Sequence, residues 1–302
     1  MEDDDYHADP CIEPSLSSTF ANDILESTEI EAMLNQRRLN PEYEDKKSDA
    51  MDLGTMAHEL ILQGKLDAFV VCDEFDAWRS DAAKAKKKEI EDAGKIALNS
   101  NTKSILDDVK AMKNRLYEQL KDHQEYSSIL QVGRPEQCGF AKVGNIWQRA
   151  KFDWIDETIP DLIVDYKTTG LSFDQWEKNQ LWDGKYLQNP HYRRTYDAIT
   201  GKKSKFIFVV QRTKAPFLVK IFALDDSYSE NIEMRYEMAR RRFEHCLKSG
   251  QWRGEPPYTA HSYPPPWVMQ KWDFDVLSEE AEKSAAAQKQ ETIDPADALM
   301  AG

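Results

Sequence analysis

The segment from Phe152 to Thr169, which reads FDWIDETIPDLIVDYKTT, carries two aspartates and a lysine at a chemically useful spacing. Asp153 falls near the end of one predicted strand. Asp165 and Lys167 lie two residues apart at the end of the next, so their side chains share one face. The aspartates are twelve positions apart, enough for a tight hairpin that brings the carboxylates together. Two carboxylates on one face repel unless a hard cation lies between them, and Mg²⁺ takes such oxygen ligands. Lys167 could then orient a water molecule or stabilise charge on a phosphate, which is the chemistry of phosphodiester hydrolysis.

A simpler interpretation of the same residues stays open. Asp165 and Lys167 could form an ion pair on a strand surface, and Asp153 could cap a turn. The apolar run from Leu162 to Val164 leads directly into the polar triplet, and an aspartate precedes it on a neighbouring strand. These two features favour a site over a surface ion pair.

Predicted helices and strands alternate along the chain and place this segment in a sheet. The strand signals are β-branched and aromatic runs bounded by Gly, Asp and Pro, and the helix signals are apolar residues at helical spacing. Strands are predicted at 136–140, 146–155, 161–165, 206–211 and 217–223. Helices are predicted at 15–25, 54–62, 80–126, 192–199 and 227–247. This order predicts an α/β (α+β) fold in which helices flank a central mixed β-sheet.

The negative charge of the chain is concentrated at its two ends. The 302 residues have a net charge of −14, but residues 1–50 hold 14 acids and 4 bases, and residues 273–302 hold 8 acids and 2 bases. The segment 51–272 therefore keeps 32 acids and 34 bases. A nearly neutral body with local basic clusters can bind phosphates, which a uniformly acidic body would repel.

The cysteines and the hydropathy favour a reduced cytoplasmic setting. The four cysteines lie dozens of residues apart, without the paired spacing of a metal or disulfide framework. No run approaches the roughly 18 to 20 apolar residues of a membrane span. We therefore expect a cytoplasmic protein without a membrane partner.

Landmarks in a fixed order make the chain resemble a known family. They are SLSSTFANDIL near the start, Gly54-Thr55-x-x-His58, Glu136, Asp153, Asp165-x-Lys167, Gln188-x-x-x-Tyr192 and Thr200-Gly201. This pattern, from Ser15 to Trp252, resembles the PD-(D/E)xK nuclease superfamily. Within it, the pattern resembles the exonuclease VIII (RecE-like) branch, related to the RecB nuclease domain and to phage exonucleases. The resemblance implies a restriction-endonuclease-like core, encoded by a phage or prophage.

The resemblance also implies a role for each site residue. His58, Asp153 and Asp165 match the metal ligands, and Lys167 matches the catalytic lysine. A neutral imidazole is a reasonable third ligand for Mg²⁺ or Mn²⁺. Glu136 matches an upstream acid that holds the site together or touches a metal-bound water. The alternatives are a structural or exposed His58 and an exposed Glu136 at the start of a strand.

The segment after the aspartates could contact DNA or support the site. Gln188 and Tyr192 are four residues apart and share a face if that segment is helical. Pro190 lies between them, and proline fits only the first helical turn, so Gln188 could precede the helix. Arg193 and Arg194 begin a group of basic residues that could contact phosphates.

The implied activity is that of a Mg²⁺-dependent exodeoxyribonuclease, with Mn²⁺ as a substitute. Family members resect linear double-stranded DNA ends from 5′ to 3′ and leave a 3′ single strand for a RecT-like annealing protein during recombination and repair. Some assemble as homo-oligomeric rings. The tight cysteine cluster that holds an iron–sulfur cluster in some relatives is missing, so no such cluster is expected. The alternatives are a structure- or single-strand-specific endonuclease and a catalytically idle DNA-binding scaffold.

The sequence predicts a single large domain with acidic ends. Residues 1–14 are expected to be a flexible acidic segment, and residues 279–302 a flexible acidic tail. Between them we expect one domain over 15–272, with a helical part over 15–130 and a catalytic sheet core over 131–253.

Overall fold

The computed structural model describes residue 1 and residues 3–44, 53–257, 259 and 261–291. The chain divides into two compact units, Met1–Gly254 and Glu255–Gly302. The single domain predicted over 15–272 extends across the division between these units. Within the described ranges, no helix combines the length and the apolar character needed to cross a membrane.

Helices and strands alternate through the first unit, and the described residues of the second contain one long helix. The α-helices are α1 (Asp3–His7), α2 (Ser18–Glu26), α3 (Glu29–Leu34), α4 (Leu53–Ala57), α5 (Asp81–Asp92), α6 (Ser104–Leu120), α7 (Phe173–Trp176), α8 (Gln188–Thr200), α9 (Ser229–Ser249) and α10 (Pro266–Glu291). The strands are β1 (Ser15–Leu16), β2 (Phe69–Cys72), β3 (Ile96–Asn99), β4 (Gly133–Val143), β5 (Ile146–Asp156), β6 (Leu162–Thr169), β7 (Lys205–Arg212) and β8 (Val219–Phe222). The π-helical turns His58–Leu62 and Glu177–Leu181 continue α4 and α7, and short 3-10 turns occur at Leu66–Ala68, Lys185–Leu187 and Asp226–Tyr228.

The main sheet has six strands and the mixed polarity that the sequence predicts. Five of the strands were predicted, whereas Ser15–Leu16, which forms β1, was assigned to a helix. The path of the sheet runs β1-β5-β6-β7-β8, with β4 paired to β5. β4 pairs antiparallel with β5 along nearly its whole length. On its other edge, β5 pairs with β1 near its start and with β6 near its end. β5 therefore changes partner along this edge, between Gln148 and Trp154.

Two hydrophobic clusters lie on opposite faces of this sheet. One holds Phe152, Ile163 and Phe208 and is covered by α2, α8 and α9. The other holds Val164 and Val209 and is covered by α4, its π-helical continuation and α6. β6 is buried on both faces, which explains its continuous apolar run.

The sequence analysis did not predict the small parallel sheet formed by β2 and β3. The sequence predicts one helical segment from Ser80 to Tyr126, but the structure divides it into α5, β3 and α6. β3 pairs in parallel with β2, Phe69 opposite Ile96. The prediction failed here because β3 is a short strand whose partner lies far away in the sequence, so local periodicity could not reveal it.

The acidic N-terminal segment is packed onto the fold, whereas the sequence predicted a flexible end. Tyr6 and Asp9 are both 7% exposed. The Asp9 carboxylate lies 3.3 Å from Arg149 Nη1 and accepts a hydrogen bond from the Ser15 backbone N–H. The opposite end also differs in local structure, because α10 extends to Glu291 through the start of the predicted tail. The rest of that tail, 292–302, lies outside the described residues.

Candidate active site

The two aspartates of the predicted site face each other across β5 and β6. The antiparallel pairs Trp154–Val164 and Ile155–Ile163 place Asp153 opposite Asp165 as the next pair in register. The backbone ladder stops there, because the Asp153 Oδ2 atom accepts the backbone N–H of Tyr166 at 2.9 Å. A side-chain carboxylate thus replaces a backbone acceptor where the strands separate.

The strand β5 changes its alternation at this point. Phe152 and Ile155 belong to the same hydrophobic cluster although they are three residues apart, and Trp154 packs in the other cluster. A regular strand would put residues two apart on one face. The irregularity at Asp153 therefore aims its carboxylate at the end of β6, as is common for strand distortions next to active sites.

Asp165 is a fully buried carboxylate held beside a lysine. Its exposure is 0%, and Lys167 Nζ lies 2.5 Å from Asp165 Oδ2 and 3.5 Å from Asp153 Oδ2. Apart from this contact with Lys167, neither Asp165 oxygen has a hydrogen-bond donor in the described part of the chain. Burial raises the pKa of Asp165 to about 6, and the Lys167 charge opposes this rise. Burial also lowers the pKa of Lys167, but both aspartates outweigh it and hold that pKa above its ordinary value.

His58 enters the site from the π-helical turn that continues α4. Leu60 lies in this turn, and its carbonyl oxygen accepts a hydrogen bond from Nζ of Lys113, on α6, at 3.0 Å. The His58 ring has an oxygen acceptor at each nitrogen: Glu136 Oε1 lies 3.3 Å from Nδ1, and the Tyr166 carbonyl oxygen lies 3.1 Å from Nε2. Burial lowers the pKa of His58, but the Glu136 contact and the Asp153 charge outweigh it and raise that pKa overall. Such π-helical turns often occur at functional sites.

Glu136 reaches the site through an unusual backbone conformation. Its φ is +51°, in the left-handed region that non-glycine residues seldom adopt. Its side chain is 15% exposed, and Oε2 lies 2.6 Å from Lys151 Nζ. Burial raises the pKa of Glu136, but hydrogen bonds from His58 and Lys151 outweigh this effect and lower it overall. The alternative of an exposed glutamate at a strand start does not describe this residue, because it lies inside β4 and its carboxylate is mostly buried.

These groups suit a divalent cation. One ligand atom each from His58, Glu136 and Asp153 can be chosen so that the three atoms lie within 4.8 Å of one another. The sequence analysis predicted Asp165, not Glu136, as the third ligand. Asp165 lies next to this group and contacts Lys167. Apart from that contact, its two buried oxygens have no hydrogen-bond donor among the described residues. Imidazole and carboxylate donors of this kind bind Mg²⁺ and Mn²⁺. The residues present therefore fit a metal centre.

Gln188 and Tyr192 lie on one helix next to this group. α8 begins at Gln188, and Pro190 sits in its first turn, where proline is tolerated. Gln188 Nε2 donates to the Tyr192 hydroxyl at 3.4 Å. The Tyr192 ring packs edge-on against Phe152, and burial raises its pKa well above the ordinary value.

Arg193 and Arg194 are placed differently from the other predicted residues. Arg193 Nε donates to the Ser204 carbonyl oxygen at 3.0 Å. Arg194 donates to Glu233 at 2.7 Å and to Glu237 at 2.9 Å. Neither arginine lines the two cavities described below. These contacts favour the supporting role for Arg194, while phosphate contact by this pair stays a prediction.

Two cavities meet at the site. The lysine cavity, about 730 Å³, is named for Lys65, Lys151, Lys167 and Lys185. The tyrosine cavity, about 570 Å³, is named for Tyr6, Tyr43 and Tyr192. Both are lined by His58, Glu136 and Lys151, so a substrate strand could lie on both sides of the metal-ligating group.

Three of the four cavity lysines, Lys65, Lys151 and Lys185, were missed by the sequence analysis. Lys151 precedes Asp153 by two positions, the same spacing that joins Asp165 to Lys167, and that spacing was the available signal. Lys185 follows a glycine in a connecting segment, and no local pattern marked it.

Comparisons with known proteins agree with this geometry. The family described as "PDDEXK-like domain of unknown function (DUF3799)" matches residues 17–256. A crystal structure described as a "Putative exonuclease" from Eubacterium rectale is similar in fold, with a TM-score of 0.56 and 17% identity over 89% of this chain and 97% of that chain. The crystal structure of SSO0001 aligns with a TM-score of only 0.24 and 13% identity over 65% of this chain and 93% of that one, so it carries no argument. Among curated proteins, none matches the chain significantly by sequence.

Proposed function

The chain belongs to the DUF3799 family of PDDEXK-like domains, and on that premise we propose that it is a metal-dependent nuclease that degrades linear double-stranded DNA from its ends. The single observation that carries the hydrolytic part is the placement of Lys167 Nζ between the carboxylates of Asp153 and Asp165. A lysine beside two facing carboxylates at the end of a central strand can act on water and phosphate together.

The residues of this group divide into metal ligands and a catalytic lysine. His58, Asp153 and Asp165, with Glu136 as a further candidate, would hold one or more divalent cations. When bound, such a cation supplies Lewis-acid stabilisation of the charge that develops on the phosphate. Lys167 would orient the attacking water and stabilise the same charge. The two aspartates hold the pKa of Lys167 above its ordinary value, which favours its charged form and a role as a positive charge beside the phosphate.

The dependence on DNA ends rests on two weaker supports. One is the resemblance of the ordered landmarks to the RecE-like exonucleases, and the other is the similar fold of the protein described as an exonuclease. The 5′-to-3′ polarity, the RecT-like annealing partner, a role in recombination or repair and the ring assembly enter the proposal from the resemblance alone.

A digestion assay tests the proposal. Linear duplex labelled at the 5′ or the 3′ end and a covalently closed circle of the same sequence are incubated with protein and Mg²⁺, with Mn²⁺ and EDTA in parallel. We expect early release of the 5′ label, an intact circle and no digestion in EDTA. Lys167→Ala is expected to be inactive. Lys203→Ala is the matched control and should keep full activity. The Lys203 side chain is 92% exposed, and among the described residues its ion-pair partner is Asp197.

The other outcomes decide against particular parts of the proposal. Cleavage of the closed circle identifies an endonuclease. Early release of the 3′ label reverses the polarity. No digestion of any substrate, with DNA binding retained, indicates an idle scaffold, and calorimetry without Mn²⁺ binding would support that reading. Full activity of Lys167→Ala would show that the site is misassigned.

A further inference from the structure

The lysine cavity contains a positive charge that no carboxylate balances. Lys65 lies 3.6 Å from Glu59, Lys151 lies 2.6 Å from Glu136, and Lys167 contacts both aspartates. The fourth lysine, Lys185, has no carboxylate within 4.0 Å among the residues that the structure describes. Three of the four cavity lysines thus contact a carboxylate, and Lys185 is the one that does not.

The backbone around Lys185 is fixed by the fold. Gly184 precedes it with a φ of +115°, a conformation that side-chain-bearing residues rarely adopt. Leu187 is completely buried, and the Tyr186 hydroxyl accepts a hydrogen bond from Arg235 Nε at 2.6 Å. Because its neighbours are anchored, Lys185 projects from a rigid 3-10 turn.

Neutral hydrogen-bond donors accompany Lys185 in the cavity. Thr168 lies at the end of β6, and Gln180 lies in the π-helical turn that continues α7. Both line the same cavity as Lys185, and neither side chain makes a hydrogen bond within the described part of the protein. A hydroxyl, an amide and an ammonium with no internal partner form a suitable receptor for phosphate oxygens.

The electrostatics agree with this geometry. Partial burial lowers the pKa of Lys185, the positive charge of Lys167 lowers it further, and Asp165 offsets the effect only in part. Lys185 is therefore close enough to the catalytic pair to sense both charges. Binding of an anion would relieve the unfavourable positive potential at this point.

We propose that Lys185, assisted by Thr168 and Gln180, binds a phosphate of the substrate strand other than the one being cleaved. The inference rests on the proposed function, because it assigns the lysine cavity to the strand on one side of the metal centre. The bound phosphate belongs either to an internal diester or to the end of the strand. Its role is to fix the register of the strand against Lys167.

Binding measurements without divalent metal test the proposal separately from cleavage. Fluorescence anisotropy in EDTA compares the protein with its Lys185→Ala, Lys185→Arg and Lys203→Ala variants on a short labelled duplex with a single-stranded end. We expect Lys185→Ala to weaken binding by about tenfold, the loss typical of one charge-assisted hydrogen bond. The slope of log affinity against log salt should fall by about 1, while Lys185→Arg keeps most of the affinity and Lys203→Ala changes neither.

A scan of neutral phosphates identifies the ligand. Oligonucleotides with one methylphosphonate at successive positions are bound by the parent protein and by Lys185→Ala. At one position we expect the neutral methylphosphonate to weaken DNA binding by the parent protein without further weakening DNA binding by Lys185→Ala. A 5′-hydroxyl end compared with a 5′-phosphate end shows in the same way whether the terminal phosphate is the ligand.

The outcomes separate the two proposals. If the parent protein cleaves DNA and Lys185→Ala binds and cleaves equally well, the phosphate site is refuted and the nuclease function stands. If no substrate is cleaved but the methylphosphonate effect disappears with Lys185, the phosphate site stands and the nuclease function fails. The phosphate site is also refuted if the methylphosphonate at every position weakens DNA binding by the parent protein and by Lys185→Ala to the same extent. Thermal unfolding of each variant shows whether a loss of binding reflects a loss of folding.

Discussion

His58 Nδ1 lies 3.3 Å from Glu136 Oε1, although the two residues are 78 positions apart in the chain. The contact joins a π-helical turn to a strand residue with a left-handed backbone, so both partners reach it through irregular conformations. A left-handed backbone at a non-glycine residue such as Glu136 costs of order 1–3 kcal/mol, and it persists where the surrounding structure enforces it. The pair therefore favours the hypothesis that the site uses an acid at position 136, which stays a prediction.

Replacement of Glu136 by glutamine should weaken metal binding. The change keeps the size of the side chain but removes the negative charge next to His58 and Asp153. We expect Mn²⁺ affinity, measured by calorimetry, to fall by at least about tenfold. Glu157→Gln is the control, because Glu157 is about half exposed and its carboxylate lies 3.5 Å from Arg134. Equal Mn²⁺ affinity of the Glu136→Gln variant and the parent would remove Glu136 from the ligand set.

Loss of Lys167 should reduce activity and stability through different causes. Lys167→Ala leaves the buried Asp165 carboxylate without its cation, which should cost about 3 kcal/mol of unfolding free energy. The double variant Lys167→Ala/Asp165→Asn should recover most of that stability, because the fully buried position 165 no longer carries a charge, yet stay inactive. Denaturant unfolding in EDTA and digestion in Mg²⁺ measure the two effects. Recovery of cleavage in the double variant would contradict the catalytic role of Lys167.

Tyr192 offers a test of support against direct DNA contact. Its ring packs against Phe152 and Phe206, and its hydroxyl accepts a long hydrogen bond from Gln188. We expect Tyr192→Phe to change unfolding free energy by less than about 1 kcal/mol and Tyr192→Ala to cost about 3–5 kcal/mol. If the hydroxyl also contacts DNA, Tyr192→Phe weakens DNA binding although its unfolding free energy changes by less than about 1 kcal/mol. An unchanged affinity assigns Tyr192 to support alone.

Gly184 should tolerate substitution less well than another glycine with positive φ. A Cβ at Gly184 would lie 2.2 Å from Asn22 Oδ1, whereas a Cβ at Gly201 would meet no atom within 4 Å. Gly201→Ala should cost about 1 kcal/mol for its backbone conformation alone. We expect Gly184→Ala to cost at least twice as much and to weaken DNA binding by displacing Lys185. Chemical denaturation of the two variants measures this difference, and equal losses would contradict the clash with Asn22.

His191 should make stability depend on pH. Its Nε2 contacts the Arg149 carbonyl oxygen at 2.9 Å, and its Nδ1 lies 2.7 Å from the Tyr236 hydroxyl, which also accepts from Gln148. The neutral ring satisfies both contacts by donating from Nε2 and accepting at Nδ1. Burial lowers the pKa of His191 to about 4, and the hydrogen bond to the Arg149 carbonyl only partly opposes this.

The sign of the effect follows from this lowered pKa. The unfolded chain takes up the proton near the ordinary histidine value of about 6.5, and the folded protein does so only near pH 4. The stabilisation is therefore complete above about pH 6.5 and is lost as the pH falls toward 4. Between pH 7 and 5 the loss should be about 2 kcal/mol. Denaturant unfolding across this range should show a shallower pH dependence for His191→Gln, and identical slopes would refute the assignment.

The parts of the site that the sequence identified are those set by short-range geometry. Asp165 and Lys167 share a face because residues two apart in a strand do so, and a connection of five residues brings Asp153 opposite Asp165. The helix that carries His58 was also readable from its apolar spacing. The metal-ligand roles of these residues stay predictions, and the structure adds that they lie within reach of one another.

The tertiary structure decided the features that depend on contacts between distant residues. Pairing with several neighbours interrupts β5 at Asp153 and forces Glu136 into a left-handed conformation, which no local propensity favours. The charge balance of the lysine cavity likewise depends on which carboxylates the folded chain brings to each lysine. The sequence by itself thus determined the chemistry of the central triplet, because that chemistry follows from local spacing. Packing decided which further side chains surround the triplet, because their positions follow from the sum of many long-range contacts.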